Sequence, residues 1–322
     1  MTKRLRVGVI GLGRRWQKRY RPALLKLSDR FEVRALCDGV YQRAINEAHR
    51  LGCDAVAGPT QLLEGEDIDA LLLLDPPWYR LWPLEAACRA GRPVFCCATP
   101  EQDEVHADAL CRQVQESRLP VMLEMALRFV PATLRLRELL ETRLGPARTV
   151  LVELIQPAQE EAASDGEAAA ARLRNLLGGR GVGLLDWCAH LLGEEPANVL
   201  AGGGTGPLTT LLLEFGGGRS AQITHWRAPG ARRALRLRVA AERGSAMVEP
   251  PARLQWNDED GRHAHVLPPR QQLGQMLLER FHRTLTDSQA PEPNLADACR
   301  VLGWLKAAVR SLAEGQRVAL NE

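Results

Sequence analysis

The chain has 322 residues, too many for one ordinary core and suited to two domains. Its 45% hydrophobic and 25% charged residues are the balance of a water-soluble globular protein, and no window approaches twenty uninterrupted apolar residues, which excludes a membrane span. The 42 Lys and Arg against 39 Asp and Glu leave a net charge of +3 with no long single-sign block, so nucleic acid is not an expected partner.

Met1 to Arg4 run straight into a strand-like segment with no signal-peptide pattern, and a cytoplasmic setting is expected. Leu5–Ile10 is a short apolar run that ends in Gly11-Leu12-Gly13-Arg14-Arg15-Trp16, and a helical pattern follows over 17–28. A second run, Phe31–Cys37, ends in Asp38, and helical spacing resumes through Arg43–Leu51. A weak strand near Ala55, a helix from Thr60, the buried-strand run Ala70–Leu74, a helix over 83–90 and a strand over Pro93–Cys97 complete the series. Apolar strands alternating with amphipathic helices at this spacing predict βαβ units around a parallel sheet.

The glycines stand between the first strand and the first helix. There Gly11 permits a tight turn and Gly13 lets backbone approach a pyrophosphate. Arg14 and Arg15 open the helix beside that position, and Asp38 at the end of the second strand is placed to accept from a ribose diol, which favours NAD over NADP. Trp16 stands where the third glycine of the fingerprint would be, so a turn of this shape with no dinucleotide bound is the competing reading.

Further along, Asp75-Pro76-Pro77, Ala90-Gly91-Arg92-Pro93-Val94, Arg128-Phe129-Val130-Pro131, Leu191-Leu192-Gly193, Phe215-Gly216-Gly217-Gly218 and Glu242-Arg243-Gly244-Ser245 follow VGVIGLGRR in order. In these motifs the chain resembles the Gfo/Idh/MocA oxidoreductases almost end to end. The resemblance implies an α/β Rossmann domain with a doubly wound parallel sheet over 1–123. It also implies a substrate-binding and oligomerisation domain over 124–322, with a large, open, mostly antiparallel sheet. It places Asp75 and Pro76 beside the cofactor with Gly11, Gly13, Arg14, Arg15 and Asp38, and it implies a homodimer or homotetramer. β-Patterned segments at 148–155, 208–215, 220–225, 235–241 and 245–249, with helical spacing at 273–285 and 297–312, read the same way on periodicity alone. The stretch 156–172 is low in aromatic and β-branched residues and reads as a loop or weak surface helix.

The catalytic pattern of the family is broken. Where a Glu-Lys-Pro motif carries its proton-relay lysine, this chain reads Ala98-Thr99-Pro100, and its only lysines are Lys3, Lys18, Lys26 and Lys306. A threonine hydroxyl cannot stand in for a tuned ammonium, and Thr99-Pro100-Glu101-Gln102 also has the form of a helix capping box. The family's Asp-x-x-x-His-x-x-Asp run falls on Gly179–Gly193. One register keeps Asp186 as the final Asp and puts Gly183 at the histidine. The other puts Asp186 and His190 on the earlier pair.

Trp78, Tyr79 and Arg80 crowd the turn after the fourth strand and, with Cys97 and Arg128, are candidates for a substrate cleft. They either stack on a sugar-like ligand or pack against protein. Cys96 and Cys97 end an apolar strand and read as core residues or as thiols. His225-Trp226-Arg227 is a further candidate for the cleft wall, while His263 and His265 read as solvated loop residues. The eight cysteines form no C-x-x-C pair, so no metal site is expected and most thiols should be reduced.

Three functions remain. One is an NAD(P)-dependent oxidoreductase acting by hydride transfer on a sugar, polyol, imine or related carbonyl compound. Another is a catalytically degenerate regulator or scaffold that binds a ligand or NAD, or that holds no cofactor. A lyase or isomerase using Cys97 or Asp186 is a third.

Overall fold

The computed structural model describes residues 4–75, 79–100, 104–117, 119–158, 176–177, 179–203, 207–267, 273–287 and 289–320. These divide into two compact units. The first holds residues up to Glu124 together with 271–299, and the second holds 125–270 and 300 onward.

The first unit is a six-stranded parallel sheet in the order β3-β2-β1-β4-β5-β6. Its strands are β1 (Leu5–Ile10), β2 (Phe31–Cys37), β3 (Asp54–Val56), β4 (Ala70–Leu73), β5 (Val94–Cys96) and β6 (Val121–Leu123). β4 is Ala-Leu-Leu-Leu, buried at every residue, as a central parallel strand covered on both faces must be. The connections are a π-helical turn, Trp16–Tyr20, running into α1 (Arg21–Lys26), then α2 (Tyr41–Leu51), α3 (Pro59–Glu64), α4 (Trp82–Arg89) and α5 (Glu104–Ser117). The strand order reverses between β1 and β4, and in open α/β sheets ligands bind outside the carboxyl ends of the strands at that switch.

The second unit carries a nine-stranded sheet in the order β14-β13-β12-β11-β7-β10-β9-β8-β15. In chain order these are β7 (Ala147–Pro157), β8 (Asn198–Gly203), β9 (Leu208–Glu214), β10 (Ser220–Ala228), β11 (Ala234–Ala241), β12 (Gly244–Glu249), β13 (Arg253–Asp258), β14 (Gly261–Val266) and β15 (Val318–Ala319). Every pairing is antiparallel except β7 with β10, so the sheet is mostly antiparallel and open. Val150, Val152 and Leu154 of β7 are buried, with α8 (Gly181–Leu192) packed on β7; α7 (Pro131–Leu139) packs on β12 and β13, and α6 (Ala126–Phe129) on α8. The other face presents Leu151, Leu200, Leu208 and Trp226 to solvent.

The first unit is assembled from two stretches of the sequence. α9 (Leu273–Thr286) returns to the first unit, where Phe281 packs on Phe95 with ring centroids 5.8 Å apart and His282 meets Phe31 edge-on at 5.5 Å. The division falls inside α10 (Leu295–Glu314), after Cys299. Cys299 is disulfide-bonded to Cys111 of α5, a pairing not among the sequence expectations. Cys37, Cys53, Cys88, Cys96, Cys97 and Cys188 are free. β8 and β13 and the α5–β6 pair lie outside the predicted elements. β14 forms where a loop is predicted, and its His263 and His265 pack on Trp256 of β13 at centroid distances of 4.7 and 4.9 Å.

Candidate active site

At the switch point the chain leaves β1 through Gly11, whose φ of +92° suits glycine and strains any other residue. Its N–H donates to Cys37 O at the end of β2 (2.9 Å). A Cβ on Gly11 would fall 2.6 Å from both the nitrogen and the oxygen of Asp75, just beyond β4, and a Cβ on Gly13 would overlap the Asp75 carboxylate. Both glycines are therefore required by the close approach of the β4 end.

Asp38 is 3% exposed and fastens the same turn. Its Oδ2 accepts from Leu12 N–H (2.7 Å), its Oδ1 from Val40 N–H (2.8 Å), and Arg43 of α2 pairs with it at 3.0 Å. Most of the carboxylate's acceptor capacity is thus engaged, and its first structural role is to tie the glycine turn to β2.

Trp16 does not occupy the turn's ligand side. The π-helical turn directs it into the core, fully buried, where its indole N–H donates to Glu47 of α2 (3.2 Å). Burial works to raise the Glu47 pKa, but hydrogen bonds from Trp16, Arg21 and Arg50 outweigh it, and the carboxyl sits below its ordinary value. Arg14 is exposed, whereas Arg15 reaches Glu124 at 3.4 Å, and Arg19 pairs with the same buried carboxylate. Glu124, just beyond β6, is absent from the sequence candidates. The i, i+4 spacing of Arg15 and Arg19 is the only sequence signal for a shared acidic partner.

Past β5, Cys97 is buried, and burial pushes its thiol up to about 11, with Tyr20 Oη as its hydrogen-bond partner at 3.6 Å. A thiol so placed is a poor nucleophile near neutrality. Thr99 is half-buried next to it, while its capping-box partner Gln102 lies outside the described residues, as do Pro76 and Trp78. Tyr79 is half-buried with its hydroxyl 3.9 Å from Cys37 Sγ, and burial raises its pKa to about 12, so it remains a protonated donor. Arg80 is exposed and has a positive φ of 49°.

In the second unit, Arg128 of α6 grips Asp186 of α8 in a two-pronged ion pair, with Nε donating to Oδ2 at 2.8 Å and Nη2 to Oδ1. Asp186 is 1% exposed, and a carboxylate accepting from both arms of a guanidinium is held as an acceptor. His190, one turn on, is half-buried with Nε2 3.3 Å from Arg137 Nη1 of α7. Gly183, where one register puts the family's histidine, has open space on its Cβ side. α8 stops at Gly193, in the left-handed conformation with φ +75°.

His225 and Trp226 alternate across β10. Trp226 faces solvent, and His225 is buried between Leu176 O and Gln156 Oε1, each 3.2 Å from a ring nitrogen. Burial lowers the His225 pKa below its ordinary value. Among the described residues no three His, Cys, Asp or Glu side chains are grouped to hold a metal ion, and no helix is long and apolar enough to cross a membrane.

A dinucleotide fits this edge in two respects. The turn carries no side chain of its own at Gly11 and Gly13, and an acidic residue, Asp38, follows β2. The Asp75 carboxylate lying against Gly13 is the one discordant charge.

Residues 5–102 match the model of the oxidoreductase family with the NAD-binding Rossmann fold, Gfo/Idh/MocA. Inositol 2-dehydrogenase of Rhizobium meliloti (strain 1021) is 22% identical over 314 residues, covering 86% of this chain and 91% of that protein. Levoglucosan dehydrogenase, solved in complex with NADH and levoglucosan, superposes with a TM-score of 0.83 at 17% identity, over 99% of this chain and 100% of that one. UDP-N-acetylglucosamine 3-dehydrogenase from Acidithiobacillus ferrooxidans gives 0.76 at 22% identity, over 97% and 99%. With a parallel Rossmann sheet, a mostly antiparallel second sheet and the glycine turn at the switch point, the chain has the fold of these solved structures, and its residues 5–102 are similar to the Gfo/Idh/MocA oxidoreductases.

Proposed function

We propose that the protein is an NAD-dependent oxidoreductase that moves a hydride between the cofactor and a hydroxyl-bearing or carbonyl carbon of a sugar or polyol. The observation that carries this is the glycine turn at the β1/β4 switch, with Gly11 at a positive φ and the turn bound to the end of β2 through Asp38. The sugar-like substrate class follows from the relatives, whose names specify inositol, levoglucosan and a nucleotide sugar. NAD is preferred over NADP because the Asp38 carboxylate repels a 2′-phosphate and Arg43, the nearest cation on α2, is already paired with it.

The bound nicotinamide supplies the hydride acceptor or donor. The chain must handle the proton that leaves an alcohol as its carbon loses hydride. Thr99 stands at the usual lysine position and contributes a neutral hydroxyl. Asp186, held by Arg128, fixes α8 rather than exchanging a proton, and His190 is the proton carrier on that helix. Tyr79, protonated up to about pH 12, and the exposed Arg80 present donors to substrate hydroxyls. A cytoplasmic setting and association into dimers or tetramers through Leu151, Leu200, Leu208 and Trp226 belong to the same reading.

The test is titration with NADH and NADPH, followed by a panel of sugars and polyols with NAD. NADH is expected to bind more tightly than NADPH, Asp38→Ala to weaken that binding, and His190→Ala to lower kcat by ~10²–10⁴. An unchanged kcat in His190→Ala removes that residue from the chemistry. A second reading, a regulator that binds NAD without turnover, is favoured by Thr99 at the lysine position, and NADH binding with no turnover across the panel would establish it.

A further inference from the structure

The space that Gly13 leaves open is taken by a carboxylate. Asp75 follows β4 at the switch point, and Leu74 N–H bonds Ile10 O (2.9 Å), so the backbone there is fixed against β1. Its side chain lies where a Cβ on Gly13 would sit. Asp75 is half-buried, and its carboxylate has no hydrogen-bond or ion-pair partner among the described residues, in contrast with Asp38 beside it.

The charged and titratable groups facing Asp75 come from each neighbouring element: Arg15 from the helix after the turn, Asp38 from the end of β2, Arg43 from α2 and Cys97 from beyond β5. Burial, and secondarily the Asp38 charge, raise its pKa against the pull of Arg15 and Arg43. A dinucleotide diphosphate is itself an anion, and the second glycine of such a turn is where the backbone meets it.

We propose that Asp75 sets the phosphate affinity of this site: its carboxylate contests the face of Gly13 with the cofactor's diphosphate, which binds well only when Asp75 is protonated or neutralised. The inference rests on the nicotinamide-cofactor reading above. An ionised Asp75 repels the diphosphate, whereas a protonated one donates its O–H to a phosphate oxygen, so affinity strengthens as pH falls. Asparagine keeps the shape, removes the charge and offers an N–H, so Asp75→Asn should bind tightly at any pH.

ADP-ribose, which carries the diphosphate, and adenosine, which lacks it, are the probes, titrated into the whole protein and into Asp75→Asn between about pH 8 and pH 5. The wild-type protein is expected to bind ADP-ribose at least ~10-fold more tightly at the acid end, and Asp75→Asn to bind it at least ~10-fold more tightly than wild type at the alkaline end with a flat profile. Adenosine should not distinguish the two proteins. Equal ADP-ribose affinities and parallel pH profiles would overturn the role of Asp75 and leave the cofactor reading standing. If neither protein binds ADP-ribose at any pH while both melt cooperatively, the inference and the cofactor reading both fall. Asp75→Ser, which also removes the charge, provides the second variant if Asp75→Asn folds poorly.

Discussion

Asp258, at the turn between β13 and β14, shows how far one side chain's surroundings can move its chemistry. Burial alone would raise its pKa, but His263 Nε2 (2.9 Å), Trp256 Nε1 (3.1 Å), Arg143 Nη1 (3.3 Å) and Asp260 N–H (3.1 Å) all surround the carboxylate and hold it at about 2. A carboxyl held below its ordinary value stabilises the fold above the ordinary carboxylate range, and that contribution is lost as pH falls toward 2. Asp258→Asn should therefore flatten the acid limb of the unfolding curve below about pH 4, and an unchanged limb would refute the assignment. This cluster was not legible in the sequence. Gly261–Val266 (GRHAHV) has no apolar alternation and is exposed at nearly every position, and only the indole on the neighbouring strand makes His263 and His265 packing residues. Asp38, Arg128 and Asp186 could be named from motifs, but the two-pronged pair joins helices 58 residues apart in sequence, and no local pattern encodes it.

Among elements, the turn from β1 to α1 carries the plainest divergence from its fingerprint. The strands and Gly11 are readable because continuous apolar runs and a positive φ leave marks in sequence. The π-helical turn leaves none, yet it is what carries Trp16 away from the turn's open side and onto Glu47. Trp16→Ala should destabilise the fold by about 3–5 kcal/mol through the cavity it opens, with Glu47 losing one of its donors, as read from urea unfolding midpoints. A loss below ~1 kcal/mol would mean that the indole is not a core residue. α9 is likewise legible as a helix from its apolar spacing. That its Phe281 belongs against Phe95 is not, since periodicity gives the buried face and not the surface that buries it.

Across the whole molecule, the Cys111–Cys299 disulfide joins α5 to α10 over a sequence separation of 188 residues, beyond the reach of any spacing rule. Thiol counting under denaturing conditions should find six groups before reduction and eight after. Reduction should lower stability by about 2–4 kcal/mol, the usual effect of opening a long loop. Eight reactive thiols without reductant would show that the pair is not bonded. The return of α9 to the first unit also sets an order of events during synthesis. A domain that is contiguous in sequence can close as soon as its last residue leaves the ribosome, but here Tyr20 and Phe95 wait for Phe281. Through the making of the whole nine-stranded sheet except β15, the nucleotide-fold half keeps one aromatic face uncovered. A chain halted after β6 would thus present an apolar surface to every other nascent protein around it.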